Sequence, residues 1–223
     1  MTTVRSGGKA KRTRLTRERI LHAAVAHADS YGLASVTIRS LAADLGVHPM
    51  SLYHYFEGKD AILEAMVDVL LEEAPMVEVE TWQEWVAAVF TSMRALSRSH
   101  PGAIEVIQSS PSTGRNADLY SERGLRCFLA VGLSEVDAVT AVRSVSLASL
   151  GLSANERVGV LRTREEITAR TERVRQTLHV DTPADELVAV DLWGFTLTTL
   201  IAGIEAAVSC LTTQQSRRTS RRK

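Results

Sequence analysis

The stretch from Thr37 to Phe56, TIRSLAADLGVHPMSLYHYF, limits what this chain can fold into more than any other stretch does. Apolar residues recur at helical spacing as far as Leu45, and Gly46 can then end a helix in the left-handed conformation. Pro49 can begin the next helix, because a first helical turn makes no use of the N–H that proline lacks. The stretch therefore predicts a helix, a tight turn and a short second helix, which is the helix-turn-helix arrangement.

The second helix of this unit, residues 49–56, is called the recognition segment below. Leu52 and Phe56 are four residues apart and so face one way, towards the core. Tyr53 and Tyr55 fall on two other sides, together with serine, histidine and methionine. Hydroxyl groups can donate to phosphate oxygens, and apolar carbons can meet thymine methyls in the major groove. The pattern predicts that Phe56 packs inside while both tyrosines face outward, towards DNA.

The remainder of the chain also carries helical patterns, and no stretch of useful length alternates as a strand would. The predicted fold is all-α. Residues 153–176 are dense in charge, which favours a mobile loop followed by an exposed helix. The other predicted helices cover about 16–31, 59–74, 81–99, 102–108, 116–131, a span beginning at 134, and 183–211.

These patterns suggest four parts of the chain. Residues 1–13 are polar and basic and are predicted to form a disordered arm. Residues 14–74 form the helix-turn-helix domain, with the motif itself at about 37–56. Residues 75–215 form a second helical domain, and residues 216–223 form a basic tail.

Charge is distributed unevenly although the net charge is zero. Residues 1–60 hold nine Lys and Arg against five acids, whereas residues 61–210 hold twelve against twenty-one. A basic first segment and an acidic body indicate that the first part meets a polyanion. Charge alone leaves a second interpretation open, in which two solvated basic tails flank a neutral protein.

Composition places the chain among ordinary globular proteins, with 45% hydrophobic and 23% charged residues. Cys127 and Cys210 show no metal-binding or redox spacing, which suits a reducing cytoplasm. No apolar run follows the basic N-terminus, so no signal peptide is predicted. Residues 191–211 are apolar enough to suggest a membrane span, but Glu205 interrupts them, and we predict no membrane insertion.

The final predicted helix has two apolar faces. Trp193, Leu197 and Leu200 begin one stripe, and a second face carries smaller residues such as Thr199 and Gly203. A helix that is apolar on two sides must be covered on two sides. The sequence therefore favours a second subunit as one of the covers.

Residues 14–74 resemble the DNA-binding domain of the TetR family of transcriptional regulators. The resemblance rests on one continuous block, ILHAAVAHADSYGLASVTIRSLAADLGVHPMSLYHYFEGKDAIL. It implies contact with double-stranded operator DNA, the recognition segment being the reader and the lysine binding a phosphate. The implied DNA-contacting residues are Arg39, Pro49, Met50, Ser51, Tyr53, His54, Tyr55 and Lys59.

Residues 75–215 resemble the regulatory domain of the tetracycline-repressor branch, on HPG at 100–102, GLS at 132–134 and FTLTTLIAGIEAAV at 195–208. The resemblance implies a four-helix dimer interface from about 134–150 and 184–211, and an effector pocket among the other helices. The predicted interface residues are Val139, Val142, Trp193, Leu197, Leu200, Ile204 and Val208. The residues that either line a pocket or form ordinary core are Trp82, Trp85, Phe90, Met93, Ile107, Gln108 and Phe128.

The tetracycline repressor itself holds a magnesium–drug complex partly through a histidine shortly after the corresponding Gly-Ala pair. Here GAIEVIQ, residues 102–108, contains no histidine. His100 lies just before that pair, where a structural role is favoured over a metal ligand. We therefore expect no metal, no cofactor and no particular drug.

No nucleophile set, phosphate loop or metal-spaced cluster indicates an enzyme. The sequence favours a cytoplasmic homodimeric repressor that binds a pseudo-palindromic operator and is released by a small-molecule effector. Two alternatives stay open: activation, or regulation mainly through protein partners with non-specific DNA affinity. Operator footprinting separates them, because a dimer protects two related half-sites.

Overall fold

A computed structural model describes residues 14–74, 78–110, 114–161, 164–179, 181–183, 185–186 and 191–220. Over these residues the chain forms helices and turns and no strand, which confirms the all-α prediction. The α-helices are α1 Arg17–Tyr31, α2 Ile38–Leu45, α3 Lys59–Glu73, α4 Trp82–Ser99, α5 Glu105–Ser109, α6 Arg115–Ala130, α7 Glu135–Leu161, α8 Arg164–Leu178 and α9 Leu192–Ser220.

Helix α1 begins and ends at residues suited to those positions. The Thr16 hydroxyl accepts a 3.2 Å hydrogen bond from the backbone N–H of Arg19, which satisfies one of the free donors of the first turn. At the other end Gly32 has a φ of 83°, a conformation that favours glycine. The apolar positions of α1 are buried against α2 and α3, and Ile20 and Ala24 are fully covered.

The C-terminal helices pack around α4, which contacts α6, α7 and α9. Aromatic rings fill the space between them. The ring centroids of Trp82 and Phe128 are 5.7 Å apart and stacked, whereas Phe90 meets Trp193 edge to face at 6.0 Å. Such pairs contribute about 0.5–1.5 kcal/mol beyond the area they bury.

Three predicted elements differ from the structure. The recognition segment is a single 3-10 turn at Pro49–Ser51 continued by a hydrogen-bonded turn to Phe56, not the short α-helix predicted over residues 49–56. Helix α7 continues to Leu161 where a loop from residue 153 was predicted. Residues 185–186 are helical, as predicted, but Asp191 is not, so α9 itself begins at Leu192; it extends to Ser220, across the predicted start of the tail.

Some predictions fall on residues that the structure does not describe. The basic arm at 1–13 and the last three residues of the tail lie outside the described ranges. The predicted boundary at residue 75 does so as well, since the described chain stops at Ala74 and resumes at Glu78.

Candidate nucleic-acid interface and ligand cavity

Local hydrogen bonds and backbone conformation define both ends of α2 and the turn that leads to the recognition segment. Thr37 and Ser40 cap the start of α2 reciprocally: the Thr37 hydroxyl accepts from the Ser40 N–H at 3.0 Å, and the Ser40 hydroxyl accepts from the Thr37 N–H at 2.9 Å. Gly46 ends α2 with φ 64° and ψ 35°, the left-handed conformation predicted for it. The His48 ring then accepts a 3.3 Å hydrogen bond from the Met50 N–H and caps the 3-10 turn.

Two side chains anchor the recognition segment in the core. Leu52 is fully buried and Phe56 is 3% exposed, as predicted. Met50 and Tyr53 remain 60% and 49% exposed, and His54 is exposed beside them. The segment thus presents an apolar and hydroxyl-bearing edge to solvent.

The flanking residues extend this edge. Arg39 on α2 is exposed, and Lys59 is half-buried at the first position of α3. Pro49 and Ser51 are half-buried on the 3-10 turn. Because the N-terminus of an α-helix favours anions, the start of α3 adds a site suited to a phosphate.

Tyr55 does not face outward, so that prediction is wrong. Its phenol donates a 2.8 Å hydrogen bond to the backbone carbonyl of Leu15, and its ring packs against the core. Arg17 binds the same place from α1: its guanidinium donates to the Tyr55 carbonyl at 3.0 Å and lies 4.2 Å above the centroid of Phe56. The start of α1 therefore clamps the end of the recognition segment.

Neither Leu15 nor Arg17 was predicted to take part in this site. Their contacts join residues 40 and 38 positions apart, and no local spacing rule covers that separation. In the sequence, a basic residue in the first turn of a helix, such as Arg17, is only weak evidence for a contact, because most such residues are exposed to solvent.

A small cavity of about 100 Å³ lies among α3, α4, α5, α6 and α7. Helices α3, α4 and α5 contribute apolar side chains, whereas α6 and α7 contribute one tyrosine and three serines besides two apolar residues. The lining residues are Leu71, Trp85, Val89, Met93, Ile107, Ala117, Tyr120, Ser121, Ser146, Ser149 and Leu150.

The predicted pocket set is divided by the structure. Trp85, Met93 and Ile107 line the cavity, whereas Trp82, Phe90 and Phe128 do not. Trp82 stacks on Phe128, and Phe90 packs on Trp193, within the core. Gln108 is exposed, and its amide donates a 2.8 Å hydrogen bond to the Leu150 carbonyl at the outside of the cavity.

Tyr120 and Trp85 hold the polar side of the cavity in place. The Trp85 indole N–H donates a 3.0 Å hydrogen bond to the Tyr120 carbonyl. Gly124, one turn further along α6, lies against the same indole, and a Cβ there would be 2.5 Å from the ring. Burial raises the pKa of the Tyr120 phenol, whereas the neighbouring Ser92 acts to lower it. The phenol oxygen is buried and has no hydrogen-bond partner among the described residues. The phenol is thus a neutral group that can donate to a ligand.

The cavity is tied to α3 through Asp68. Its carboxylate accepts a 2.7 Å hydrogen bond from the Asn116 N–H in the first turn of α6, and the Asn116 amide donates to the Asp68 carbonyl at 3.0 Å. Gly114 lies against the same carboxylate, so that a Cβ there would overlap it. These contacts attach the start of α6 to α3, the helix that follows the recognition segment.

An exposed apolar surface runs along α7 and α9, and we call it the α7–α9 face. Its most exposed members are Val136, Leu147 and Phe195, at 75%, 66% and 66%. A groove of about 510 Å³ between the two helices is lined mainly by small and apolar residues, with Thr199 and Gly203 on its α9 side. Residues Leu192–Cys210 are long and apolar enough to pass as a membrane span by composition alone, and 6% of them are buried.

The predicted interface set needs one correction. Val142 and Trp193 are 6% and 7% exposed because they pack inside the chain, so they have almost no surface left for a partner. Leu197, Leu200, Ile204 and Val208 are partly buried against the core, and Val139 is 44% exposed. Leu200, Ile204 and Val208 of the predicted stripe also line the groove between α7 and α9, so the correction concerns Val142 and Trp193.

Two protein families match separate parts of the chain. Residues 20–66 match the family described as bacterial regulatory proteins, tetR family, and residues 74–208 match the tetracyclin repressor-like C-terminal domain. The HTH-type transcriptional repressor DrrR1 of Streptomyces coeruleorubidus is 33% identical over 143 residues, which cover 63% of this chain. The matched segment spans 53% of that relative, so this chain corresponds to about half of its length.

Solved structures share the fold. ActR of Streptomyces coelicolor in complex with (S)-DNPA superposes with a TM-score of 0.72 at 22% identity, covering 88% of this chain and all of that one. BioQ with its double-stranded DNA operator superposes with a TM-score of 0.66 at 24% identity, covering 86% and 99%. Identities this low establish the fold alone.

Proposed function

Because the chain belongs to the TetR family of bacterial regulatory proteins, we propose that it is a homodimeric repressor that binds a pseudo-palindromic operator and leaves it when a small molecule binds. The family consists of transcriptional regulators and not of enzymes, in agreement with the sequence-based assignment. Its target is DNA, and we assign the protein to the cytoplasm.

One observation carries the DNA-binding proposal: the exposed edge of the recognition segment. Met50 and Tyr53 protrude into solvent although both are large and partly apolar, while Leu52 and Phe56 beneath them are buried. Their carbons suit thymine methyls, and the phenol suits a base edge or phosphate.

Charged and polar neighbours support the same reading. Arg39 and Lys59 lie on either side and suit phosphates, and His54 and Ser51 lie within the edge. Pro49 adds apolar surface to the same turn. Tyr55 is assigned a supporting role, because its hydroxyl is already bonded to Leu15.

The homodimer proposal rests on the α7–α9 face. Exposed Phe195, Leu147 and Leu192 lie on helices that also present small residues, which allow two helix pairs to approach closely. Covering such a surface removes apolar area from water, at roughly 25 cal/mol per Å². A second copy of the chain is the proposed cover. It also explains why α9 is as apolar as a membrane helix without requiring a membrane.

The effector proposal rests on the cavity. About 100 Å³ holds roughly three waters and is smaller than the 300–1,000 Å³ typical of ligand pockets. An effector must therefore widen it by moving its walls, and one of those walls is Leu71 of α3. ActR, which shares this fold, is solved in complex with (S)-DNPA, so a protein of this fold can hold a small molecule.

Widening the cavity favours a conformer with a different spacing between the two recognition segments. Helix α6 carries Ala117, Tyr120 and Ser121 of the cavity and is tied to α3 by Asp68. The effector can shift the equilibrium only by its difference in affinity for the two conformers.

The experiment is selection of duplex DNA from a random library by the purified full chain, followed by footprinting. We expect one pseudo-palindromic site with two equal half-sites, and light scattering at twice the 24.4 kDa of the chain. Binding that is strongly salt-dependent and indifferent to sequence would contradict the proposal and would favour a regulator that acts through protein partners. Increased transcription from a reporter carrying the selected site would indicate activation.

A further inference from the structure

Both ring nitrogens of His100 are held by carboxylates. Nδ1 is 2.7 Å from Oδ2 of Asp29 on α1, and Nε2 is 2.8 Å from Oε2 of Glu73 at the end of α3. A neutral imidazole has only one N–H to donate, and ionised carboxylates only accept. Two hydrogen bonds of this length therefore require the protonated ring.

The second oxygen of Asp29 extends the contact to the backbone. Oδ1 accepts hydrogen bonds from the N–H groups of Gly102 at 3.0 Å and Ala103 at 2.9 Å. Gly102 lies so close to α1 that a Cβ there would overlap the carbonyl oxygen of Ala28. The turn after α4 is thus seated directly on the last turn of α1.

This contact involves helices that also reach the cavity and the recognition segment. The turn at residues 100–103 leads into α5, whose Ile107 lines the cavity, and Glu73 is on the same helix as the cavity residue Leu71. On the other side, α1 carries Arg17, which holds the end of the recognition segment. One protonated ring therefore joins α1, α3 and the turn after α4.

The charges around the ring favour its protonated form. Burial acts to lower the pKa of His100, but the hydrogen bonds to Asp29 and Glu73 outweigh burial and raise it above the ordinary value. Arg98 on α4, two residues before His100, is paired with Glu156 of α7 at 3.1 Å.

We propose that His100, Asp29 and Glu73 form a latch that fixes the orientation of α1–α3 on the C-terminal helices, and that loss of the ring's charge loosens α1–α3 and weakens binding to a two-half-site operator. This inference rests on the proposed dimeric function. A dimer binds its second half-site as an intramolecular event, whose effective concentration depends on how well the free protein already matches the spacing. A loose latch lowers that effective concentration and leaves each single contact with DNA intact.

The test compares two duplexes, the full selected site and one isolated half-site, by fluorescence anisotropy between pH 6 and pH 8.5. The measured quantity is the ratio of the two affinities. Because the pKa of latched His100 is raised, the latch is fully formed below about pH 6.5 and is lost as the pH rises through the raised value. We expect the ratio in the wild type to fall roughly three- to tenfold over this range.

The variants separate the latch from other histidines. The other histidines, including His48 and His54, remain in His100→Gln, whose ratio we expect to be low at every pH and to lose most of its pH dependence. Glu73→Gln removes one carboxylate at a position that is 43% exposed, so folding is not at risk. Glu73→Gln should move the fall in the ratio to lower pH. Glu72→Gln, the exposed neighbouring carboxylate, is the matched control and should behave like the wild type.

The outcomes are distinguishable. A wild type that binds full site and half-site equally tightly contradicts the dimeric function itself. A wild type that prefers the full site, with the same preference and the same pH profile in His100→Gln and Glu73→Gln, overturns the latch and leaves the function standing. Equal weakening of both duplexes in His100→Gln would also overturn it, since that pattern reports damage to the DNA contacts.

Discussion

The phenolic hydroxyl of Tyr55 donates a 2.8 Å hydrogen bond to the carbonyl oxygen of Leu15, 40 residues earlier in the chain. Tyr53, only two residues before Tyr55, leaves 49% of its surface exposed. The two tyrosines therefore have different roles in the recognition segment. One holds the segment against α1, and the other is free to meet DNA.

Removing the two hydroxyl groups should therefore change the stability of the protein to different extents. We expect Tyr55→Phe to lower the free energy of unfolding by about 0.5–1.5 kcal/mol, because the Leu15 carbonyl loses its donor. Tyr53→Phe should leave stability within about 0.5 kcal/mol of the wild type, since its hydroxyl is at the surface. Urea unfolding followed by tryptophan fluorescence measures both. A larger stability loss in Tyr53→Phe would reverse the assignment.

Tyr53 should matter for operator binding. Tyr53→Ala is expected to weaken binding to the selected duplex by about 1–3 kcal/mol, because an exposed aromatic group that contacts DNA is removed. The mass of the dimer should be unchanged. Fluorescence anisotropy gives the affinity and light scattering gives the mass. Wild-type affinity in this variant would show that Tyr53 does not contact the DNA.

A single charged substitution tests whether the α7–α9 face forms the subunit contact. Phe195→Asp places a carboxylate in the proposed subunit contact and should convert the dimer to a monomer. The fold of the chain should persist, because Phe195 is 66% exposed in the protomer. Val174→Asp makes the equivalent change at a 50% exposed position on α8 and should leave the dimer intact. Sedimentation equilibrium distinguishes the two, and a dimeric Phe195→Asp protein would place the interface elsewhere.

Adding even one methyl group at Gly124 should lower the stability of the protein. Gly124→Ala brings a methyl group to 2.5 Å from the Trp85 ring, so the indole must move, and we expect a loss of about 1–3 kcal/mol in stability. Gly151→Ala on α7 meets no atom of its own chain within 4 Å, so the stability of the protomer should be unchanged or raised by up to about 1 kcal/mol. Thermal unfolding compares the pair. Equal melting temperatures would show that the Trp85 side of the cavity is loosely packed.

The His100 site also predicts a pH dependence of stability. The pKa of His100 is raised in the folded state, so its stabilising contribution is present below about pH 6.5 and is lost as the pH rises through the folded value. The difference in unfolding free energy between the wild type and His100→Gln should therefore shrink above that value. Since Glu73 is 43% exposed, we expect the change to stay below about 1 kcal/mol. A difference that grows with pH would mean that the ring is neutral in the folded protein.

Much of the DNA-binding region was predictable because its determinants are local. Thr37 caps α2, Gly46 ends it in the left-handed conformation, and Leu52 and Phe56 share one buried side. Each of these rules relates residues within a few positions of one another. Tyr55 was assigned to the wrong side because its partner is Leu15, which no rule of spacing connects to it.

The C-terminal half was less predictable for the same reason. Periodicity indicated that α9 is apolar on two sides, but it could not tell which side meets α4 and α7 and which is left open. Trp193 was therefore assigned to a partner although it packs on Phe90, and the exposed Phe195 was not chosen. The sequence also left open which aromatic residues line a cavity and which form core: Trp85 lines the cavity, whereas Trp82 and Phe128 stack on each other in the core.

By itself the order of residues determined that this chain is helical, where most of its helices start and stop, and that residues 37–56 form a helix-turn-helix. Those properties depend on backbone preferences and on side-chain spacing within one or two turns. Only the tertiary structure decided that Tyr55 faces inward, that His100 joins Asp29 to Glu73, and that Phe195 rather than Trp193 is exposed. Such outcomes depend on which distant surfaces meet, because the free energy of packing is a property of pairs of helices.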